Sequence, residues 1–170
     1  NFKQPRELIQ KAVIARNPKM MELAVRTALV YALTPNWDTA FLSDFADSGW
    51  DQRVFSNTVV AESVALALDY GDDLLSEAGR SLLQKRLALE GLGQINYNIC
   101  RYTYLFGNNQ LTVFTRGRIA AYLTLEKSRG WNGPRVKPYT ELAMNELYDS
   151  LASLVYEDGS FLEGPAYFFY

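Results

Sequence analysis

The chain contains no histidine. Its own residues therefore cannot build a Ser-His-Asp triad, a Cys-His nucleophile or a His-ligated metal site. Cys100 is the lone cysteine, so no disulfide can form within the chain and pairing says nothing of redox compartment. The sequence context of Cys100 reads as a small buried apolar residue rather than a nucleophile. No run of about 18 apolar residues occurs, which excludes a membrane-spanning helix, and no secretory signal pattern is visible. Basic charge is not in surplus either: 17 Lys+Arg against 19 Asp+Glu leave a net charge of −2. A protein that neutralises phosphates needs a basic face, so nucleic acid is not an expected partner.

What is present is ordinary for a folded protein. Apolar residues make up 48%, aromatics 14% and charged residues 21%, which argues against disorder, collagen and disulfide-scaffold classes. A core built by 170 residues buries roughly 70% of the unfolded chain's surface, so one domain is expected. The sequence opens on Asn1 rather than Met and stops at Tyr170 within an aromatic cluster. It reads as a piece of a longer protein.

Helical periodicity recurs along the chain. Met21, Val25, Ala28, Leu29 and Ala32 form one stripe on a helix beginning near Pro18, preceded by a weaker helix from Glu7 to Arg16. Val60, Val64, Ala67 and Leu68 form a second stripe, stopped at Tyr70-Gly71. A third helix starts from a Ser76 cap, turns Leu82, Leu83, Leu87 and Leu89 inward and ends at Gly91 and Gly93. A fourth runs from about Asn109 to Lys127, with Leu111, Ile119, Tyr122 and Leu123 on one side. A fifth carries Ala143, Met144, Leu147, Leu151, Leu154 and Val155, opened by Pro138 and closed by Asp158-Gly159. Between the third and fourth, Ile95 to Phe106 fits a buried helix and an extended linker equally well. The fold expected is all-α: antiparallel helical hairpins packed side by side, with no strict internal repeat.

Three loop-centred clusters carry the residues most suited to chemistry. The first is Thr34-Pro35-Asn36-Trp37-Asp38, followed by Trp50; its tryptophans suit either packing or stacking on sugar faces. The second is Gly107-Asn108-Asn109-Gln110, where the asparagines suit either helix capping or a site. The third runs from Glu157 to Tyr170. It begins as an Asp158-Gly159-Ser160 turn and ends in aromatics that suit either a core or a site.

The string Asp158-Gly159-Ser160-Phe161-Leu162-Glu163-Gly164-Pro165-Ala166-Tyr167-Phe168-Phe169-Tyr170 resembles the D-G-x-x-x-E-G-P-x-Y-x-x-Y segment of the heparinase II/III-like polysaccharide lyases, which include alginate and oligoalginate lyases. Gly107-Asn108-Asn109-Gln110, with the small residues Gly117, Ala120 and Ala121 after it, is similar to that family's Asn-rich motif. Ser56 to Leu75, with Glu62, Ala65, Ala67, Tyr70 and Asp72-Asp73, is similar to its E-x-A-x-A-x-A-Y-D helix. The resemblance spans about residues 30–170. It implies that residues 1–170 form part of a single incomplete (α/α) toroid, followed in the whole protein by antiparallel β-sheet domains.

By the same resemblance the activity is β-elimination on a uronate-containing polysaccharide or oligosaccharide in the periplasm or outside a bacterial cell, with no cofactor and no metal. Asn109 and Gln110 would neutralise the substrate carboxylate through uncharged amide donors. Tyr167 or Tyr170 would be base, acid or both, provided its neighbours lower the hydroxyl pKa from about 10. Substrate contacts would come from Asn108, Arg101, Arg116, Trp37, Trp50 and Glu163. Arg118 also flanks the Asn cluster, and a plain salt bridge on a helix face is the stronger reading of each of these arginines. Where Gln110 stands, related lyases often carry His. Two other readings stay open: a toroid glycoside hydrolase working through Asp158 and Glu163, and a non-catalytic helical module that binds glycan or protein.

Overall fold

The computed structural model describes residues 5–35, 37, 55–101, 103–162 and 164. Trp50, Glu163, Tyr167 and Tyr170, and the side chain of Arg101, lie outside the described residues. The chain is all-α: α1 Pro5–Ile14, α2 Pro18–Leu33, α3 Phe55–Tyr70, α4 Glu77–Arg86, α5 Gln94–Arg101, α6 Gln110–Lys127 and α7 Lys137–Leu154. Short 3₁₀ segments, Asp72–Leu74 and Thr103–Gly107, precede α4 and α6. Among the described residues the sole β feature is one isolated antiparallel bridge, Val155 to Phe161.

α1 and α2 form a tight hairpin. The amide of Asn17 donates to the Ala12 carbonyl and that of Arg16 to the Val13 carbonyl, while Arg16 takes φ 48°. This is the two-bond helix stop that glycine usually occupies, here built with an arginine. Asn17 then caps α2, its Oδ1 accepting from the Met20 amide at 3.1 Å. Serine does the same for α4, Ser76 Oγ accepting from the Gly79 amide at 3.1 Å, as its position in the sequence suggests.

α3 is the central helix, buried on several sides through Asn57, Thr58, Ala61, Val64, Ala65, Ala67 and Leu68. It crosses α6 at close range. Thr58 Oγ1 donates to the carbonyls of Val113 and Phe114 at 3.0 and 3.1 Å. Small side chains permit this: a Cβ built on Gly117 would lie 2.6 Å from the Thr58 carbonyl oxygen. The Gly117 position is therefore a packing requirement, since the approach is set by backbone rather than by a movable side chain.

The third expected helix departs from the sequence reading. Gly91 and Gly93 do not end it. The rod continues from α4 through a π-helical segment, Leu87–Gly93, into α5. Neither glycine has a positive φ, and Gly91 is buried with Ala61 Cβ close to where its own Cβ would be. Here glycine serves close packing against α3 instead of a turn. Asn57 Nδ2 donates to the Glu90 carbonyl at 3.1 Å, tying the segment to the central helix. Ile95 to Phe106 resolves as helix followed by a 3₁₀ turn, not as a linker.

Four inward assignments are corrected. Leu89 is 54% exposed, lying on the opposite side of the rod from Leu83. Leu123 is 43% exposed because it stands about 120° around α6 from Leu111. On α7, Ala143 and Leu154 are buried, whereas Leu151 and Val155 are exposed. That helix ends at Leu154, before the expected Asp158-Gly159 stop.

Gly117→Ala is expected to destabilise the protein by about 1–3 kcal/mol through overpacking against Thr58. Gly107→Ala, where a Cβ meets nothing within 4 Å, should leave the urea midpoint unchanged. Equal midpoints for the two variants would refute the close-crossing argument.

Candidate functional site

α6 and α7 run antiparallel. Arg118 pairs with Glu146 at 2.7 Å, the rings of Tyr122 and Tyr139 stack at 6.1 Å and 17°, and Ser150 Oγ donates to the Phe106 carbonyl at 2.8 Å. Gly107–Gln110 therefore enters α6 at the same end at which α7 delivers Val155–Phe161. There the chain doubles back: Tyr156 N donates to Ser160 O at 2.9 Å and Gly159 N to Tyr156 O at 2.8 Å. Gly159 takes φ +80°, the left-handed position that closes such a hairpin. The Asn-rich segment and the turn that opens the Asp158 string, about 50 residues apart in sequence, thus leave one helix pair at the same end.

Within the first motif the labour is divided. Asn108 Oδ1 accepts from the Gln110 amide at 2.9 Å, closing an Asx turn ahead of α6. Asn109 occupies the cap position but makes no capping bond with its side chain; its carbonyl accepts from the Thr112 hydroxyl at 2.6 Å. All three residues are half-buried. In the second motif, Asp158 Oδ1 accepts from the Ser160 amide at 2.9 Å. The Ser160 hydroxyl and amide hold the exposed Asp158 carboxyl below its ordinary range. It is an ionised turn residue, ill suited to act as a general acid.

Two expected substrate-contacting residues are engaged in the fold. Trp37 is 3% exposed, its Nε1 donates to the Tyr31 carbonyl at 2.9 Å, and the Arg86 guanidinium lies 5.7 Å over its ring. This placement removes the free ring face that sugar stacking needs. Arg116 Nε pairs with Glu62 Oε2 at 3.0 Å, and Arg6 reaches the same oxygen at 3.0 Å, so one carboxylate links α1, α3 and α6. Cys100 is exposed, contrary to the buried role expected of it.

A second constellation escaped the sequence reading. Halfway along α6, Arg118 is 4% exposed; its Nη2 meets Glu146 and its Nη1 donates to Asn96 Oδ1 at 3.2 Å. Because arginine only donates, Asn96 must present its amide nitrogen to the other side, where Nδ2 donates to the Tyr122 hydroxyl at 2.8 Å. Burial pushes the Tyr122 pKa above its ordinary 10.0, outweighing the opposing effects of the Asn96 bond and Arg118. These four groups border a pocket of about 440 Å³ between α5, α6, α7 and the Trp131–Val136 loop. A faint signal existed in the sequence: Arg118 and Tyr122 fall four apart on the buried stripe of α6, where apolar residues are the rule.

No protein-family model, curated protein or solved structure matches this chain.

Glu146→Leu leaves a buried guanidinium without its counterion and should cost about 3 kcal/mol, whereas Arg118→Met with Glu146→Leu should recover at least half of that. A double variant no more stable than the single one would show that Arg118 is not the cause. The raised Tyr122 pKa gives a second expectation. The folded state retains the phenol proton that the unfolded chain loses near pH 10.0, so this stabilisation is full below pH 10 and declines as pH rises further. Thermal melts should show a steeper loss above pH 10 in the native protein than in Tyr122→Phe; parallel profiles would contradict it.

Proposed function

We propose that this protein is the helical part of a uronate polysaccharide lyase of the heparinase II/III-like kind, its helices belonging to an incomplete (α/α) toroid. One observation carries the reading. The Asn108–Gln110 segment and the turn that opens the Asp158–Tyr170 string leave the α6–α7 pair at the same end, held by the Ser150–Phe106 hydrogen bond of 2.8 Å. A lyase needs such convergence, because carboxylate neutralisation and proton removal act on adjacent atoms of one sugar.

The chemistry follows from the residue types. β-Elimination removes the C5 proton, α to the carboxylate, and expels the C4 oxygen. Charge gathers on the carboxylate as an enolate-like dianion, and uncharged amide donors from Asn109 and Gln110 stabilise it. Tyr167 or Tyr170 takes the C5 proton, and the same hydroxyl or a neighbouring one protonates the leaving oxygen. Gln110, standing where related lyases often carry His, supplies a donor whose charge does not change with pH. The substrate is an acidic polysaccharide or oligosaccharide met in the periplasm or outside the cell. The β-sheet domains of the whole protein would complete the cleft. The hydrolase alternative is weakened by Asp158, whose carboxylate is committed to its own turn.

The test uses the intact protein with alginate, heparan and hyaluronan. Unsaturated products absorbing in the ultraviolet band of a conjugated 4,5-ene are expected. Gln110→Ala and Asn109→Ala should each lower kcat by about 10²-fold or more with little change in the thermal midpoint, the scale on which single oxyanion donors act. Tyr167→Phe or Tyr170→Phe should abolish turnover. Saturated reducing sugars would instead identify a hydrolase, and binding without turnover a glycan-binding module.

A further inference from the structure

The pocket between α5, α6 and α7 plays no part in the lyase reading, which uses the far end of α6. Gln110 and Arg118 are eight residues apart, about 12 Å along the helix. The pocket nonetheless has the attributes of a built site. Its walls are mainly apolar, from Leu92, Trp131, Tyr139 and Leu142, while Asn96, Arg118, Tyr122 and Glu146 converge on it. This proportion, apolar walls with a few fixed polar groups, is what small-molecule sites show. One wall is the π-helical segment, through Ala88, Leu92 and Gly93. Such segments are frequent at functional sites.

The polar groups say what the ligand must be. Arg118 and Asn96 are committed to each other, and Arg118 also to Glu146. Because Asn96 presents Nδ2 to the Tyr122 oxygen, the Tyr122 hydroxyl accepts there and its own proton has no acceptor among the described residues. Tyr122 is 5% exposed, so this is a buried donor awaiting an acceptor. Arg135 borders the pocket, is exposed and forms no ion pair among the described residues. Two arginines against one glutamate leave one positive charge on the lining. A sugar would bury several hydroxyls against walls that offer few partners, at a cost of about 1–3 kcal/mol for each one left unpaired. A flat apolar body avoids that cost and can lie along Trp131 and Tyr139.

We propose that this pocket binds a small monoanion with an apolar ring body, an aryl carboxylate being the class that fits. Its carboxylate accepts the Tyr122 proton and faces Arg135, while its ring packs against Trp131, Tyr139 and Leu142. The site is separate from the lyase reading and stands or falls without it.

The test is calorimetric titration of the full chain with 2-naphthoate, 2-naphthylmethanol, 2-naphthylmethylammonium and glucuronate. Naphthoate is expected to bind about tenfold or more tighter than the alcohol and the ammonium, a tenfold ratio being the scale of one charge-assisted hydrogen bond. Tyr122→Phe, which keeps the ring, should weaken naphthoate about three- to tenfold. Arg135→Gln, a change at an exposed position, should erase the preference for carboxylate over alcohol, whereas Arg26→Gln on remote α2 should change nothing. No naphthoate binding at millimolar concentration would overturn the proposal, as would equal affinity for all three naphthyl probes. So would naphthoate affinity unchanged in both Tyr122→Phe and Arg135→Gln. Glucuronate binding more tightly than naphthoate would overturn the ligand class.

Discussion

The close crossing of α3 and α6 is the constraint on which the remaining architecture depends. Two helices with long side chains between them stand 8–10 Å apart. Here Gly117 meets Thr58, and the threonine hydroxyl bonds directly to the α6 backbone. With that spacing fixed, α6 presents two different faces to the rest of the molecule. Leu111, Phe114, Ala121 and Leu125 close the core, while Arg118 and Tyr122 look towards α5 and α7. Polar residues at those two positions are tolerable because each finds partners: Glu146 and Asn96 for the arginine, Asn96 for the tyrosine.

Among the described residues, ion pairs connect separate elements more than they decorate single helices. Glu62 joins three helices through two arginines. Asp72 pairs with both Arg80 of α4 and Arg129 beyond α6. Arg86 reaches back to the carbonyls of Thr34 and Pro35 and covers Trp37. Exposed pairs contribute little to stability, but a carboxylate shared between two cations fixes where helix ends sit. At the Asn-rich and Asp-Gly motifs, positioning falls instead to short-range hydrogen bonds within turns.

The helical class, the Ser76 cap, the Pro-led starts of α2 and α7 and the inner stripes of α2 and α3 were legible because each rests on local chemistry. The misplacements share one cause. Gly91 and Gly93 look like helix stops when each residue is weighed by propensity alone; packing against Ala61 and the Asn57 bond to Glu90 outweigh that preference. Trp37 suits packing and stacking alike on local sequence, and the cation that covers its ring, Arg86, lies 49 positions away. The Arg118–Asn96–Tyr122 chain was illegible for a similar reason. It joins residues 22 and 26 positions apart, and no periodicity encodes which polar groups on two helices will meet. The motif segments were legible as motifs, but their arrival at one end of α6 and α7 required the Ser150–Phe106 bond to be seen.

The wide turn at Leu87–Gly93 makes the α4–α5 rod a device for setting phase. In a uniform α-helix each residue advances the direction of its side chain by about 100°, so the faces of the two halves would be locked together. Inserting a π-helical stretch decouples them: Leu83 and Leu87 can lie in the core while Asn96, further along the same rod, meets Arg118. Loss of a single residue there would leave composition, length and helix content almost untouched. It would rotate everything from Gln94 onward relative to α4, turning Ile95 and Ile99 out of the core and parting Asn96 from its partners.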